Sequence, residues 1–209
     1  MATSAPEEVL DGRAARAQRT RRAVVDALLA LIDEGDVRPT APRIAERAGV
    51  SLRSIFQHFT DLEALFSAAS EREMERLLAL VRPLPLDGPL DARIEAFVAQ
   101  RARVLESVTP VRRAALLQEP FSAELQATRD RLLAMARGEV ESVFQPELAR
   151  HAKRDRAELL AALDAVSSWD MWESLRAHQR LSVGRARRVL ARTLRALLSD
   201  DAGMAEKGG

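Results

Sequence analysis

The chain has no cysteine and no tyrosine, and aromatic residues make up only 4% of its 209 residues. Without cysteine it has no disulfide, no nucleophilic thiol and no zinc site built on thiolates. It also lacks an apolar stretch near the ~20 residues that cross a bilayer. Residues 1–16, MATSAPEEVLDGRAAR, contain no apolar segment typical of a signal peptide. These absences predict a soluble cytoplasmic protein with no membrane partner.

The residue patterns of common catalytic sites are missing as well. The three histidines, His58, His151 and His178, are dispersed, and none has the spacing that places two metal ligands on one helix face. The sequence has neither a glycine-rich phosphate loop with lysine nor a GxSxG nucleophile turn. We therefore expect no enzyme: no catalytic residue, no metal and no cofactor.

What the chain does have is helical periodicity. Hydrophobic residues make up 47% and charged residues 30% of it, and no run of alternating β-branched residues indicates a strand. This pattern predicts an all-α fold, and the length suits a small N-terminal module followed by a larger helical domain. Because the net charge is only +1, an argument for nucleic acid depends on local charge and on motifs.

Residues 40–59, TAPRIAERAGVSLRSIFQHF, have the pattern of two helices joined by a three-residue turn. Small Ala45 stands where a second helix must cross closely, and Gly49 permits the left-handed backbone that ends the first helix. Ser51 is a suitable N-cap for the second helix, because its hydroxyl can accept a hydrogen bond from a free backbone N–H. The pattern predicts a helix-turn-helix.

The second helix of this motif, residues 51–58, is the expected recognition helix. Ile55 and Phe59 are spaced to point inward, which leaves an outward face as candidate groove contacts: Leu52, Arg53, Ser54 and Gln57. Arg53 is the best candidate for reading a base, because its planar guanidinium can donate two hydrogen bonds to guanine.

A basic run without acidic residues, residues 13–25, precedes the motif and carries Arg13, Arg16, Arg19, Arg21 and Arg22. Arginines bind phosphate, and a flexible basic arm can follow a groove of DNA. Basic tails are also common on soluble proteins, so a solvated terminal tail is the alternative.

The block from about Arg19 to Leu65 resembles the DNA-binding domain of the TetR family of bacterial transcription regulators. The resemblance is carried by IAERAGVS at 44–51 and FQHFTDLEALF at 56–66. There are two departures from the family pattern. Phe56 stands where tyrosine is common and lacks a hydroxyl for phosphate, and Leu62 replaces a lysine at the start of the fourth helix. We expect weaker phosphate anchoring at these positions.

The resemblance implies a homodimeric repressor that binds a palindromic double-stranded DNA operator and is released by a small-molecule effector. It places His58 where the family commonly meets the DNA backbone. Combined with the outward face of the recognition helix, the expected DNA contacts are Arg19, Arg22, Thr40, Ser51, Leu52, Arg53, Ser54, Phe56, Gln57 and His58.

Prolines mark the entry to the rest of the chain, since Pro83, Pro85 and Pro89 form its sharpest cluster of helix breakers. We expect a flexible basic arm at 1–18, a DNA-binding domain at 19–66, a regulatory and dimerisation domain at 67–200 and a flexible tail at 201–209. A helix at 61–81 is expected to bridge the two domains.

In the resembled family, three helices of the regulatory domain enclose an inducer pocket. Here a helix is expected at 91–108, a short segment follows Pro110, and a long helix is expected at 122–144. The pocket residues expected by position are Phe97, Arg101, Leu105, Leu117, Phe121, Leu132, Met135 and Trp169. They favour an apolar or amphipathic effector of unknown identity. Filling a helical core is the alternative role for each of them.

The last two helices, expected at 154–178 and 182–198, read as an antiparallel hairpin joined near Arg180. Their apolar stripe is broad enough to need two partners, and a second copy would complete a four-helix bundle about a two-fold axis. The expected dimer residues are Leu163, Val166, Ala186, Leu190, Thr193 and Leu197. A hairpin buried within one chain is the alternative.

Two other functions stay open at this point. A ligand-independent architectural DNA binder would show little sequence preference and a steep salt dependence. A helical interaction protein without DNA binding would suit the departures at Phe56 and Leu62. Competition by random duplex separates these functions from sequence-specific binding.

Overall fold

The computed structural model describes the backbone of residues 6–199 and the side chains of residues 12–199. This part of the chain contains helices and turns and no strand, which confirms the predicted all-α fold. The α-helices are α1 Pro6–Asp33, α2 Ala41–Ala48, α3 Leu52–His58, α4 Leu62–Leu80, α5 Leu90–Ala115, α6 Ala123–Val143, α7 Gln145–Leu148, α8 Lys153–Val166, α9 Trp169–Glu173 and α10 Val183–Ser199. A 3₁₀ turn covers Glu119–Phe121 and a π-helical turn covers Ser174–His178.

The chain divides into two compact units. The described part of the first unit is residues 6–76 together with Pro110–Thr128, and that of the second unit is Leu77–Thr109 together with residues 129–199. The first unit therefore contains the predicted helix-turn-helix, and a segment much later in the sequence joins it.

The core of the first unit forms where the apolar stripe of α1 meets α2, α3 and the start of α4. Leu28, Ile44, Ile55 and Leu65 are fully buried there. The later segment contributes further apolar side chains, Val111, Ala114 and Leu125, to the same cluster. This packing fixes α2 and α3 against α1 and the start of α4, as the apolar pattern of the sequence predicted.

The second unit buries charged groups as well as apolar ones. Phe97 and Phe144 meet edge to face with ring centroids 5.3 Å apart, and Leu163 and Leu194 are fully buried beside the same cluster. Next to this apolar core, a bridging pair of charged side chains joins α5 to α7. Arg93 donates to both carboxylate oxygens of Glu147, at 2.9 and 2.5 Å.

Several expected boundaries differ from the structure. The arm expected at 1–18 is helical from Pro6, because residues 7–18 are rich in helix-forming alanine, arginine and glutamate; residues 1–5 and the expected tail at 201–209 lie outside the described residues. The expected break before Pro110 is absent, since α5 continues through this proline to Ala115. One proline removes a single backbone donor, and the Thr109 hydroxyl donates to the Leu105 carbonyl at 2.6 Å beside it.

The expected helix at 154–178 is instead a series of shorter pieces. α8 ends at Val166, and Ser168 then caps α9 by accepting a hydrogen bond from the Met171 N–H at 3.3 Å. The π-helical turn leads to Arg180, which has a positive φ of 53° and reverses the chain before α10. The hairpin turn at Arg180 is therefore confirmed, although its first arm is interrupted.

Candidate nucleic-acid interface

The turn of the helix-turn-helix is built on Gly49. Its φ of 66° and ψ of 33° lie in the left-handed region, which residues with a Cβ atom rarely adopt. The Gly49 and Val50 N–H groups donate to the carbonyls of Glu46 and Ala45, at 3.1 and 3.0 Å. These bonds close the C-terminus of α2 and turn the chain sharply into α3.

The recognition helix α3 is held at its start and along its inner face. The Ser51 hydroxyl accepts a hydrogen bond from the Ser54 N–H at 3.1 Å, which confirms the predicted N-cap. Ile55 is fully buried and Phe59, which follows the helix, is 2% exposed. The helix is therefore fixed in rotation, so that a defined set of side chains is presented outward.

The outward face of α3 combines apolar and hydrogen-bonding groups. Leu52 and Phe56 are 42% and 50% exposed, and Arg53 and Gln57 are exposed beside them. Leu52 and Phe56 are neighbours at i and i+4, and adjacent exposed apolar side chains are a feature of binding surfaces. Leucine and phenylalanine can contact the methyl group of thymine, while arginine and glutamine can bond to purine edges.

Arg53 has no ion pair or hydrogen bond with any residue that the structure describes. Its guanidinium is therefore free to donate to a base edge without first losing an internal partner. By contrast, Ser54 and His58 are half-buried. Ser54 already contributes its N–H to the cap, so Arg53 is the stronger candidate for base recognition.

The candidate phosphate contacts are exposed on α1 and at the start of α2. Arg19 and Arg22 are solvent-exposed and have no ion pair within residues 12–199. Thr40 precedes α2 with extended backbone angles, φ −84° and ψ 152°, and its hydroxyl does not cap the helix. The hydroxyl and the N-terminal N–H groups of α2 are therefore available to phosphate.

Arg21 is a further residue that the site prediction omitted. Its Nη1 donates to the His58 carbonyl at 2.8 Å, and its guanidinium lies 4.3 Å above the Phe59 ring centroid. Arg21 thus joins α1 to the C-terminal end of the recognition helix, where a positive charge is favourable. A signal was present in the sequence, because Arg21 lies four residues before Val25 and shares its core-facing stripe.

The structure explains one of the two departures from the family pattern. Leu62 is half-buried and packs against the core of the first unit. The leucine therefore makes a packing contact at the position where the family pattern has a lysine. Asp61 caps α4, since its Oδ1 accepts a hydrogen bond from the Ala64 N–H at 2.8 Å. A carboxylate at this helix start leaves little attraction for phosphate.

Ion pairs fix the orientation of α2 against the end of α1. Arg47 bonds to both carboxylate oxygens of Glu34, at 2.5 and 3.0 Å, and Arg43 pairs with Asp36. The hydrogen bond from Arg47 holds the pKa of Glu34 below its ordinary value. Arg43 and Arg47 are thereby committed to the fold, unlike Arg53.

The expected pocket residues fall into both units. Leu117 and Phe121 belong to the first unit, and Phe121 is 84% exposed. The other six belong to the second unit: Phe97, Arg101, Leu105, Leu132, Met135 and Trp169. Phe97 and Leu105 are buried in its core, whereas Met135 is 49% exposed.

Arg101 has an unusual environment among these six. Its side chain is 7% exposed, Nη2 lies 3.1 Å from Glu139 Oε2, and the guanidinium is 4.8 Å from the Phe97 ring centroid. Its Nε has no hydrogen-bond partner. Burial lowers the pKa of Arg101, while the charges of Glu139 and Asp164 act in the opposite direction.

The expected dimer residues need correction, because most of them are not on the surface. Leu163, Ala186 and Leu190 are at most 3% exposed and pack within the second unit itself. Val166 and Leu197 are half-buried against the same core, and the Thr193 hydroxyl donates to the Val189 carbonyl at 3.0 Å. The broad apolar stripe of α10 is thus satisfied largely within one chain.

A helix-turn-helix with a capped recognition helix and unpaired exposed arginines defines a DNA-binding protein of the all-α class. Residues 24–69 match the family model described as bacterial regulatory proteins of the tetR family. The predicted resemblance to this family is therefore confirmed over the helix-turn-helix domain.

Solved structures share the fold over most of the chain. A TetR-family transcriptional regulator from Streptomyces coelicolor is 18% identical, covers 91% of this chain and 85% of its own, and has a TM-score of 0.70. A transcriptional regulator from Rhodococcus sp. Rha1 is 18% identical, covers 88% and 96%, and has a TM-score of 0.64. No curated protein matches the chain in sequence.

Within residues 6–199, no helix is both long and apolar enough to cross a bilayer.

Proposed function

We propose that the protein is a homodimeric, sequence-specific repressor that acts in the cytoplasm on a palindromic operator. The observation that carries this proposal is the outward face of α3. Arg53, Gln57 and two large apolar side chains are exposed on a helix whose cap and inner face are already satisfied. A helix of this kind fits the major groove of B-form DNA.

Base recognition is assigned to Arg53 and Phe56. Arg53 donates two hydrogen bonds to O6 and N7 of a guanine, the commonest specific contact in the major groove. Phe56, half-exposed and apolar, contacts a thymine methyl. Phe56 thereby contributes sequence preference in place of the phosphate contact that a tyrosine hydroxyl would make.

Phosphate contacts supply the remaining affinity and orient α3 in the groove. Arg19 and Arg22 on α1 and Thr40 at the start of α2 are assigned to this role. Each contact releases counterions, so affinity falls as salt rises. Replacing Arg19 or Arg22 should weaken binding to all sequences about equally, without changing the preferred operator.

Dimerisation is assigned to the exposed flank of α10 in place of its buried stripe. Arg185, Val189 and Ala196 lie on one side of this helix at helical spacing, and all three are exposed. A two-fold axis along this flank pairs the helix with its copy. Two recognition helices then read half-sites separated by about one turn of DNA, ~34 Å, or a multiple of it.

A small-molecule effector is assigned to the second unit. Met135 offers exposed apolar surface there, Leu132 and Trp169 are half-buried, and the Nε of Arg101 is a buried donor without an acceptor. An amphipathic effector with one acceptor group fits these side chains. By linkage, an effector that releases DNA must bind more weakly to the DNA complex than to the free protein, so equal affinities for both forms would refute this assignment.

The test is selection of bound sequences from a random duplex library with the full chain, followed by affinity measurement against a scrambled duplex. We expect enrichment of a palindrome that survives excess random DNA. Binding without enrichment, removed by random duplex, would instead identify an architectural protein. No binding at low salt would identify an interaction protein and refute the proposal.

A further inference from the structure

The last helix has an unusual charge distribution. α10 contains five arginines and no acidic residue: Arg185, Arg187, Arg188, Arg192 and Arg195. Three of them lie in the first two turns, where the positive end of the helix dipole disfavours cations. An interaction with the helix dipole therefore does not account for their presence.

Only one of these arginines is neutralised within residues 12–199. Arg195 donates to Asp91 Oδ1 and to Glu95 Oε1, both at 2.6 Å. The hydrogen bonds that Arg195 donates to these two carboxylates raise its pKa. The other four have neither an ion pair nor a side-chain hydrogen bond with the described residues. Elsewhere in this unit, arginines such as Arg93, Arg156 and Arg176 pair with carboxylates.

Three of the four unpaired arginines line a groove on one flank of α10. The groove has a volume of about 510 Å³ and is lined by Glu95, Gly184, Arg187, Arg188, Ala191, Arg192 and Arg195. Gly184 and buried Ala191 leave space between the longer arginine side chains. Three guanidinium groups thus border the groove without a carboxylate partner.

We propose that this groove binds a small, multiply charged phosphate compound. Guanidinium groups match phosphate oxygens in geometry and charge, and several together favour an anion with more than one negative charge. The volume lies within the range of small-molecule sites, about 300–1,000 Å³. The proposal is independent of DNA recognition, because α3 belongs to the first unit.

A second copy of the chain fits the groove less well. Two acidic residues of its α8 are paired within their own chain, Glu158 with Arg154 at 3.2 Å and Asp164 with Arg137 at 3.3 Å. The flank that carries Arg185 and Val189, assigned above to the dimer, adjoins the groove at Arg192, whereas Gly184, Arg187 and Ala191 lie farther round α10. A soluble phosphate compound can bind the arginines without breaking ion pairs of this kind.

The experiment is calorimetric titration of the full chain with inorganic tripolyphosphate at constant ionic strength. The test variant is Arg188→Gln combined with Arg192→Gln. The control is Arg103→Gln, which removes an exposed, unpaired arginine of the same unit that does not line the groove. All three side chains are exposed, so thermal unfolding should be unchanged and serves to verify folding.

We expect tripolyphosphate to bind the wild-type chain, the double variant to bind at least about tenfold more weakly, and Arg103→Gln to remain within twofold. Lack of binding by the wild type, or an equal loss in Arg103→Gln, would overturn the proposal. The proposal would also be overturned if the double variant kept its tripolyphosphate affinity but lost the mass of a dimer. The same holds if it kept its tripolyphosphate affinity but lost affinity for random duplex DNA. Those last two outcomes would assign the groove to a second copy or to DNA.

Discussion

The helix-turn-helix and the core of the second unit treat charge in opposite ways. Between residues 24 and 59 no polar or charged side chain is buried, and the free arginines of this region face solvent. The second unit buries Arg93, Arg101 and Glu147 inside its core. The first arrangement presents charge to an external partner, whereas the second makes charge part of the fold. Exposed arginines without partners are therefore the better guide to binding sites in this chain.

The largest expected effect tests the buried charge directly. Both side chains of the Arg93–Glu147 pair are only 4% exposed, so Glu147→Ala leaves the charge of Arg93 buried without its partner. Loss of one member of such a pair costs about 3–5 kcal/mol, so we expect that loss in the free energy of unfolding, measured by urea denaturation. Glu158→Ala, which removes an exposed pair on α8, should cost no more than ~1 kcal/mol. Similar losses in the two variants would contradict the structural role assigned to the buried pair.

A smaller effect concerns the turn before the recognition helix. Gly49→Ala places a side chain at a φ of 66°, which should destabilise the protein by about 1–2 kcal/mol. Nothing lies within 4 Å of the added Cβ, so backbone strain is the whole cause. The matched control is Gly138→Ala inside α6, where the site is equally open and alanine should stabilise by about 0.5–1 kcal/mol. Urea denaturation measures both, and a change of the same sign in both would contradict this explanation.

The smallest effect is a difference in pH dependence between two buried glutamates. Burial alone would raise the pKa of Glu147, but Arg93 outweighs it and holds the pKa below its ordinary value. Its stabilising contribution is present above pH ~4.3 and is lost as pH falls through the lowered value. In the first unit, burial raises the pKa of Glu73 against the weaker effect of Arg76. Its contribution is present in acid and is lost as pH rises.

The corresponding variants separate these two signs. Glu147→Gln should cost more stability at pH 7 than at pH 3.5, because the charged form alone benefits from Arg93. Glu73→Gln should become more favourable, relative to wild type, as pH rises from 3.5 to 7, because the neutral amide avoids a buried charge. Unfolding free energies at the two pH values measure this, and parallel trends in both variants would contradict the assigned signs.

The sequence predicted local features of the site well because those features depend on neighbours in the chain. Gly49, Ser51 and Ile55 act through spacings of a few residues, and the structure confirms the turn, the cap and the inward face. The role of Arg21 was missed because its partner, the His58 carbonyl, lies 37 positions away. A helical period places Arg21 on a stripe, but it does not identify the helix end that the stripe will meet.

Predictions for the second unit were less successful, because apolar periodicity does not say which partner covers a stripe. Leu163, Ala186 and Leu190 were expected at a dimer interface, yet each is buried within its own unit. The Arg93–Glu147 pair joins positions 54 residues apart, and no local pattern indicates it. Conversely, the arginines of α10 were visible in the sequence, but their lack of carboxylate partners became evident only in the structure.

The most direct test of the central claim is the affinity of Arg53→Ala for the selected operator and for random duplex. If α3 reads bases through Arg53, the variant should lose about 1–3 kcal/mol on the operator, and a smaller amount on random DNA. Arg154→Ala, which truncates a side chain 89% exposed on α8, should bind both duplexes as the wild type does. An equal loss on operator and random duplex would show that Arg53 contacts phosphate, which would contradict base recognition by this side chain.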